Sequence, residues 1–217
     1  MARAKQQSTL SMKRDAAQQR DRARYGAKRD KILKAAGLVL ERHGFAGTTI
    51  EAIAREAGVD RATVYYYFAD KGAIFRDAIH DGLSDMVTSL QEVAASNEPP
   101  DVRLRNSMRV VMQSFEKHYP QLYIYLRSGD SASVIDEHLT RELVASGRRY
   151  EDVVEEIVRD GIKQGVFQTT LPPKVFAKSV TGMLNWTSRW FVPGGMLDAG
   201  DVADGMADTI LNGVTAR

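Results

Sequence analysis

The chain has 217 residues, of which 43% are hydrophobic and 27% charged, with a formal net charge of +2 and no cysteine. That length supports one sizeable core or two small ones. The missing cysteine excludes disulfides, zinc–thiolate sites and a thiol nucleophile, and no apolar run approaches the roughly 18 residues a membrane helix needs.

The charge is unevenly placed. Residues 1–34 hold 11 Lys/Arg against 3 Asp/Glu, which leaves the remainder of the chain acidic. A basic end on an acidic body suits a protein that meets phosphates at one end only. The first residues are basic but lack an apolar stretch, so no signal peptide is expected and the cytoplasm is the natural compartment. Residues 1–27 are rich in Ala, Gln, Arg and Lys and carry almost no large apolar groups. They are expected to form a flexible basic arm. Such an arm lies along DNA phosphates or dips into the minor groove; alternatively it is a solubilising tail or a frayed extension of the first helix as far as Gly26.

Residues 28–76 are expected to form a compact headpiece of three helices, docked on the start of a fourth. Ile32, Ala36, Val39 and Leu40 mark the apolar stripe of the first helix, which Gly44 ends. Thr48 and Glu51 have the T-x-x-E spacing of a capping box, so the second helix is expected to start at Thr48. Its apolar face is Ile50, Ile53, Ala54 and Ala57, and Gly58 stops it. Asp60 can cap a third helix whose first turn is Arg61-Ala62-Thr63, with Val64 and Phe68 pointing back into the core. Two short helices joined by a tight glycine turn have the geometry of a helix-turn-helix DNA reader. Asp70 is a plausible cap for the next helix, which carries Ile74, Phe75, Ala78 and Ile79.

The order helix, Gly44-Phe45, Thr48-Thr49, Ile53-Ala54-x-x-Ala57-Gly58-Val59, Thr63-Val64-Tyr65-x-Tyr67-Phe68, then Asp70-Lys71 resembles the TetR family of bacterial transcriptional regulators. Tyr67 stands where many members carry histidine. The resemblance implies a homodimer, a variable all-helical C-terminal domain that binds a small effector, and repression relieved by that effector. Within the headpiece, Arg61, Ala62 and Thr63 are the expected base-edge contacts, because the start of a recognition helix points into the major groove. Thr48, Tyr65, Tyr67 and Lys71 are expected on phosphates, which position a protein without reading sequence, and Tyr66 is a further expected DNA contact. Two headpieces must lie roughly 34 Å apart to meet successive major grooves of a palindromic double-stranded operator.

Residues 77–217 read as long helices, giving an all-α chain: Lys71 to the Ser96–Pro100 break, Asp101 to about Tyr119, a short segment Gln121–Arg127, Ser133 to Gln164, Pro173 to Trp190, and Asp201 to Asn212. The last two are expected to dimerise as a four-helix bundle through Val175, Val180, Leu184, Trp186 and Trp190, and through Val202, Met206, Thr209 and Ile210. The alternative is that these residues face their own core. Met108, Met112, Phe115, Tyr123, Tyr125 and Trp186, with Arg189 for an anionic group, would suit an effector pocket, or else ordinary core packing. The stretch Asn185-Trp186-x-x-x-Trp190-Phe191-x-Pro193-Gly194-Gly195 is similar to a TetR subgroup in which acyl-CoA thioesters are frequent effectors.

No catalytic cluster is apparent. The four histidines have no metal-ligand spacing, and Ser128-Gly129-Asp130 is a turn rather than a nucleophile elbow. The acidic run at Glu151, Asp152, Glu155, Glu156 and Asp160 has the i,i+4 basic partners of a solvated face. No enzyme activity, metal or cofactor is expected.

Overall fold

The computed structural model describes residues 2–119, 122, 126 and 137–214, and side chains from residue 18 onward within them, except at 137–140, 142, 143 and 214. Every regular element among the described residues is helical: α1 (Ala2–Gly47), α2 (Ile50–Ala57), α3 (Arg61–Tyr67), α4 (Lys71–Ala94), α5 (Pro100–Lys117), α6 (Glu137–Lys163), α7 (Pro173–Trp186), a 3-10 turn (Thr187–Arg189) and α8 (Ala199–Val214). The chain divides into two compact units, Met1–Phe75 and Arg76–Arg217, with the boundary inside α4. Most of the expected segment 121–127 and the loop 128–130 fall outside the described residues, and Tyr123, Tyr125 and Arg127 fall there with them.

In the first unit the apolar periodicity closes a small core. Ile32, Leu33, Ala35, Ala36, Val39 and Leu40 of α1 are buried, as are Ile50, Ile53, Ala54 and Ala57 of α2, Val64 of α3, and Phe68. Residues 2–27, expected as a flexible arm or as an extension of the first helix, are helical and continuous with the headpiece's first helix. Ala, Gln, Arg and Lys are strong helix formers, and this segment meets no glycine or proline before Gly26. Helical geometry fails only at Gly44, where φ is 65° and ψ 174°, a conformation glycine adopts without steric penalty.

In the second unit α5 is the central helix, packed against α6, α7 and α8. Leu104, Met108, Val111, Met112 and Phe115 recur along it at three- and four-residue steps and are all buried. Polar ties fix its neighbours. The buried Arg103 donates to the Ala94 carbonyl and to Asp160 Oδ2, both at 3.0 Å. Arg109 grips Asp204 of α8 with two parallel hydrogen bonds of 2.6 and 2.7 Å, which hold the Asp204 carboxyl below the usual carboxylate range.

Two glycines shape the end of α6. Gly165 (φ 73°) turns the chain, the amides of Val166 and Phe167 donate back to the Gly161 carbonyl at 2.9 and 3.1 Å, and the buried Phe167 ring packs against Gly161. A Cβ on Gly161 would stand 2.1 Å from Phe167 Cδ2. In an exposed helix interior Gly→Ala stabilises. Here the sign reverses: Gly161→Ala must expel the ring, and a loss of about 1–3 kcal/mol is expected. Thermal unfolding followed by circular dichroism should show a melting point lower by several degrees.

Candidate nucleic-acid interface

The helix-turn-helix is assembled from local caps. The Thr49 hydroxyl accepts a hydrogen bond from the Ala52 amide at 3.2 Å and so caps α2. The helix therefore starts one residue later than expected, and the capping box does not form, because the residue three after Thr49 is Ala52. Thr48 is 4% exposed and donates its hydroxyl to the Gly44 carbonyl at 2.8 Å, bracing the kink within the last turns of α1. Its side chain is buried, with its hydroxyl engaged on a backbone carbonyl. Gly58, at φ 60° and ψ 43°, ends α2 in the left-handed region. Asp60 then caps α3, accepting from the Thr63 amide at 2.6 Å. Hydrogen bonds from the Thr63 side chain and amide hold the Asp60 carboxyl below its ordinary range.

With Val64 and Phe68 buried, the remainder of α3 faces outward: Arg61, Ala62, Tyr65 and Tyr66 are exposed, Thr63 and Tyr67 half-buried. The expected base-reading trio therefore occupies one exposed turn. Arg61 is already held in a chosen direction. Its guanidinium lies 2.7 Å from Glu51 Oε1 of α2, donates to the Tyr65 hydroxyl at 3.2 Å, and stacks 5.3 Å from the centre of the Tyr65 ring. Glu51, free of any capping role, is thus an ion-pair partner of Arg61. Tyr66, at 74% exposure, is the most protruding aromatic of the headpiece.

Lys71 is not a free cation. Its ammonium donates to the Phe45 carbonyl at 2.9 Å and the Thr48 carbonyl at 3.1 Å and sits 4.6 Å above the Phe45 ring. It ties the first turn of α4 to the end of α1. Lys71→Met should strip two carbonyls of their partner and destabilise the headpiece by about 1–3 kcal/mol. A lower melting temperature should therefore accompany any loss of DNA binding. Uniformly weaker binding with unchanged melting would return Lys71 to the phosphate role expected from sequence.

Sequence reasoning passed over Tyr25. Its ring lies 4.6 Å from that of Tyr67 and 6.2 Å from that of Tyr66. The signal was present: Tyr25 is seven residues before Ile32 and so on the same helical stripe.

The described residues among those expected to line an effector pocket differ in exposure. Met108, Met112 and Phe115 are core residues of α5, at most 2% exposed, and the Thr187 hydroxyl lies 3.6 Å from the Met112 sulfur. Trp186 is 60% exposed, and the Arg189 guanidinium covers its ring at 4.5 Å, so this pair faces outward. Tyr123 and Tyr125 lie outside the described residues.

Two family models match. Residues 32–78 match the bacterial regulatory proteins of the tetR family, and residues 97–214 match the tetracyclin repressor-like C-terminal domain. The chain belongs to the TetR family. It is similar to the HTH-type transcriptional repressor KstR2 of Mycobacterium tuberculosis, with 22% identity over 190 residues covering 87% of this chain and 94% of that protein. The structure of that ketosteroid transcriptional regulator superposes with a TM-score of 0.79 at 21% identity, covering 87% of this chain and 95% of the other. PfmR from Thermus thermophilus superposes at 0.76 with 27% identity, covering 83% and 97%. AibR, solved in complex with isovaleryl coenzyme A and operator DNA, superposes at 0.70 with 24% identity, covering 84% and 97%. This TetR-family protein is accordingly a DNA-binding transcriptional regulator with a helix-turn-helix headpiece, not an enzyme. Among its described residues no helix is long and apolar enough to cross a membrane.

Proposed function

We propose that this TetR-family regulator is a repressor that binds a palindromic operator as a homodimer and is released by a small hydrophobic or acyl-CoA-like effector. The observation that carries the DNA-reading part is the outward turn Arg61-Ala62-Thr63, fixed by a complete set of caps on a closed core. Arginine bidentate to guanine is the most discriminating pair such a turn can offer. Thr63 and Ala62 add short side chains that let the helix approach base edges. Tyr65, Tyr66 and Tyr67 supply hydroxyls for the flanking phosphates. Repression accords with the named role of KstR2. In this reading the protein works in the bacterial cytoplasm and joins the nucleoid when bound to DNA.

For the dimer, α7 and α8 each bury one face and leave the other outward. Val180 and Leu184 are buried in their own unit, which removes them from the expected interface, whereas Val175, Trp186 and Trp190 are exposed. On α8, Val202 packs inward while Met206 and Ile210 are half-buried and Thr209 is exposed. The outward faces also carry Gly182 and Gly205, around which a Cβ would meet nothing, so a second copy can approach closely.

The effector class is supported by the Asn185–Gly195 stretch and by the AibR complex. Buried polar atoms are further candidates for contact with such an effector. Ser107 Oγ, Tyr150 Oη and Asn185 Oδ1, on α5, α6 and α7, have no hydrogen-bond partner among the described residues. A buried polar group without a partner is costly, and a ligand's polar atoms would satisfy these. Burial pushes the Tyr150 phenol up, so it stays a neutral donor.

The test is a mobility-shift titration of the operator complex with acyl-CoA thioesters of increasing chain length, beside free coenzyme A and a ketosteroid. Release by a thioester but not by free coenzyme A supports the reading. Release by the ketosteroid alone replaces the effector class, and release by none of them removes it.

A further inference from the structure

Helix α5 ends on a histidine that is packed against α4. The His118 amide closes α5 by donating to the Ser114 carbonyl at 2.9 Å, and its side chain is 18% exposed. Across from it stands the buried Gly82 of α4. A Cβ on Gly82 would lie 3.2 Å from His118 Cβ and Cγ and from Leu122 Cδ2, so the missing side chain lets the imidazole seat on the helix. About one turn further along α4 is Asp85. Its Oδ2 lies 3.3 Å from the buried His118 Nε2, without the alignment of a hydrogen bond. The same oxygen accepts from Lys117 Nζ at 2.9 Å.

This seat suits a neutral ring. Among the described residues the charged groups facing it are Lys117 on α5 and Asp81 and Asp85 on α4. Burial, and next the Lys117 ammonium, hold the imidazole below its ordinary range; Asp85 and Asp81 act the other way and are outweighed. The seated ring therefore binds a proton less readily than a free imidazole, whose ordinary value is about 6.5. By linkage the packed contact is intact above that value and weakens progressively as pH falls below it. An open groove of about 170 Å³ between α4 and α5 adjoins the seat, with Asp85, Ser89, Gln113 and Ser114 in its lining. Their oxygens offer a protonated ring the hydrogen-bond acceptors that Gly82 does not.

The helix it leans on belongs to both units. α4 starts at Lys71, in the first, and runs through Gly82 and Asp85 to Ala94, in the second. We propose that His118 is a proton-operated latch on α4: on acidification the imidazole takes a proton from solvent, leaves Gly82 for the groove and frees the middle of α4, and operator binding weakens. A headpiece whose α4 is less ordered surrenders more entropy when it is fixed on DNA. The regulatory part rests on the DNA-binding reading above, whereas the latch itself does not. A single proton limits the effect on any equilibrium constant to about tenfold per pH unit.

The experiment uses the full chain between about pH 7.5 and 5.5, the range in which histidine titrates. The ring-proton resonance of His118, identified by its absence in His118→Gln, should titrate with a midpoint below the free-imidazole value of about 6.5. Lys117→Gln should move that midpoint up and Asp85→Asn should move it down, and the pH at which the melting temperature begins to fall should follow it. In His118→Gln the acid-side fall should flatten, both in melting temperature and in operator affinity measured by fluorescence anisotropy. The same acid profile of melting in wild type and His118→Gln would overturn the latch, and so would stabilisation by acid, which would mean that the protonated ring tightens on Asp85. A flattened melting profile with an unchanged fall in operator affinity would reduce His118 to a packing contact and overturn the regulatory role. Should His118→Gln fail to fold, the opposite shifts in Lys117→Gln and Asp85→Asn decide, since both side chains are exposed. If the unmodified chain binds no duplex at any pH, the DNA reading fails and the regulatory role with it, while the midpoint and melting still decide the latch.

Discussion

Replacing Arg61 with alanine is expected to remove about 1–3 kcal/mol of preference for operator over unrelated DNA, roughly a five- to 150-fold loss of discrimination. The fold should survive. Arg61 is exposed, its ion pair with Glu51 is exposed on both sides, and such pairs contribute little to stability. What would be lost is a guanidinium aimed by two partners, the Glu51 carboxylate and the Tyr65 ring and hydroxyl. Pre-aiming matters because a side chain that is already ordered surrenders less entropy when it meets a base. Glu51→Gln provides the complement. It removes a negative charge from the DNA face and releases Arg61, so every duplex should bind more tightly while the gap between operator and competitor narrows. Competition binding with a panel of single-base operator variants measures both. An equal loss on every duplex for Arg61→Ala would make it a phosphate contact and leave base reading to other residues.

Trp186→Glu should have the larger effect on overall affinity. Trp186 stands at the end of α7 with 60% of its surface exposed, beside Trp190 at 46%. Large aromatics so displayed are typical interface anchors. A carboxylate in the middle of a self-complementary patch faces its own symmetry mate, and like charges there oppose association. The variant should run as a monomer in size-exclusion chromatography with light scattering. Each headpiece would then bind its half-site alone, and operator affinity should fall by about 10²- to 10⁴-fold through lost avidity. Arg61→Ala, by contrast, should leave the dimer untouched. A Trp186→Glu protein that remains dimeric would move the interface away from this end of α7.

What the sequence made legible follows the range of the forces concerned. Gly58, Asp60 and Asp70 act within three residues of themselves, and the structure finds Asp60 on the Thr63 amide and Asp70 on the Ala73 amide. The apolar stripes of α1 and α2 were equally plain, since burial follows helical period. Thr48 was misassigned because two adjacent threonines both suit a cap. The choice depends on the Gly44 kink, which turns Thr48 inward and leaves Thr49 at the helix mouth. Lys71 reaches carbonyls 23 and 26 residues back, a tertiary contact that no local pattern encodes. Among the pocket residues, methionines on a central helix look alike whether they line a cavity or fill a core. The informative atoms, Ser107 Oγ, Tyr150 Oη and Asn185 Oδ1, stand out only once their lack of partners among the described residues is visible. For the N-terminal segment, composition leaves a flexible arm and a helix extension both open, because its residues favour helix individually but lack an apolar face to pack.

The most direct test of a dimeric operator reader is selection of bound fragments from random duplex DNA by the purified full chain. The enriched sequences should form an inverted repeat with half-site centres about one helical turn, roughly 34 Å, apart, and Arg61→Ala should blur one position in each half. Enrichment of an asymmetric sequence, or none above the input pool, would contradict the account.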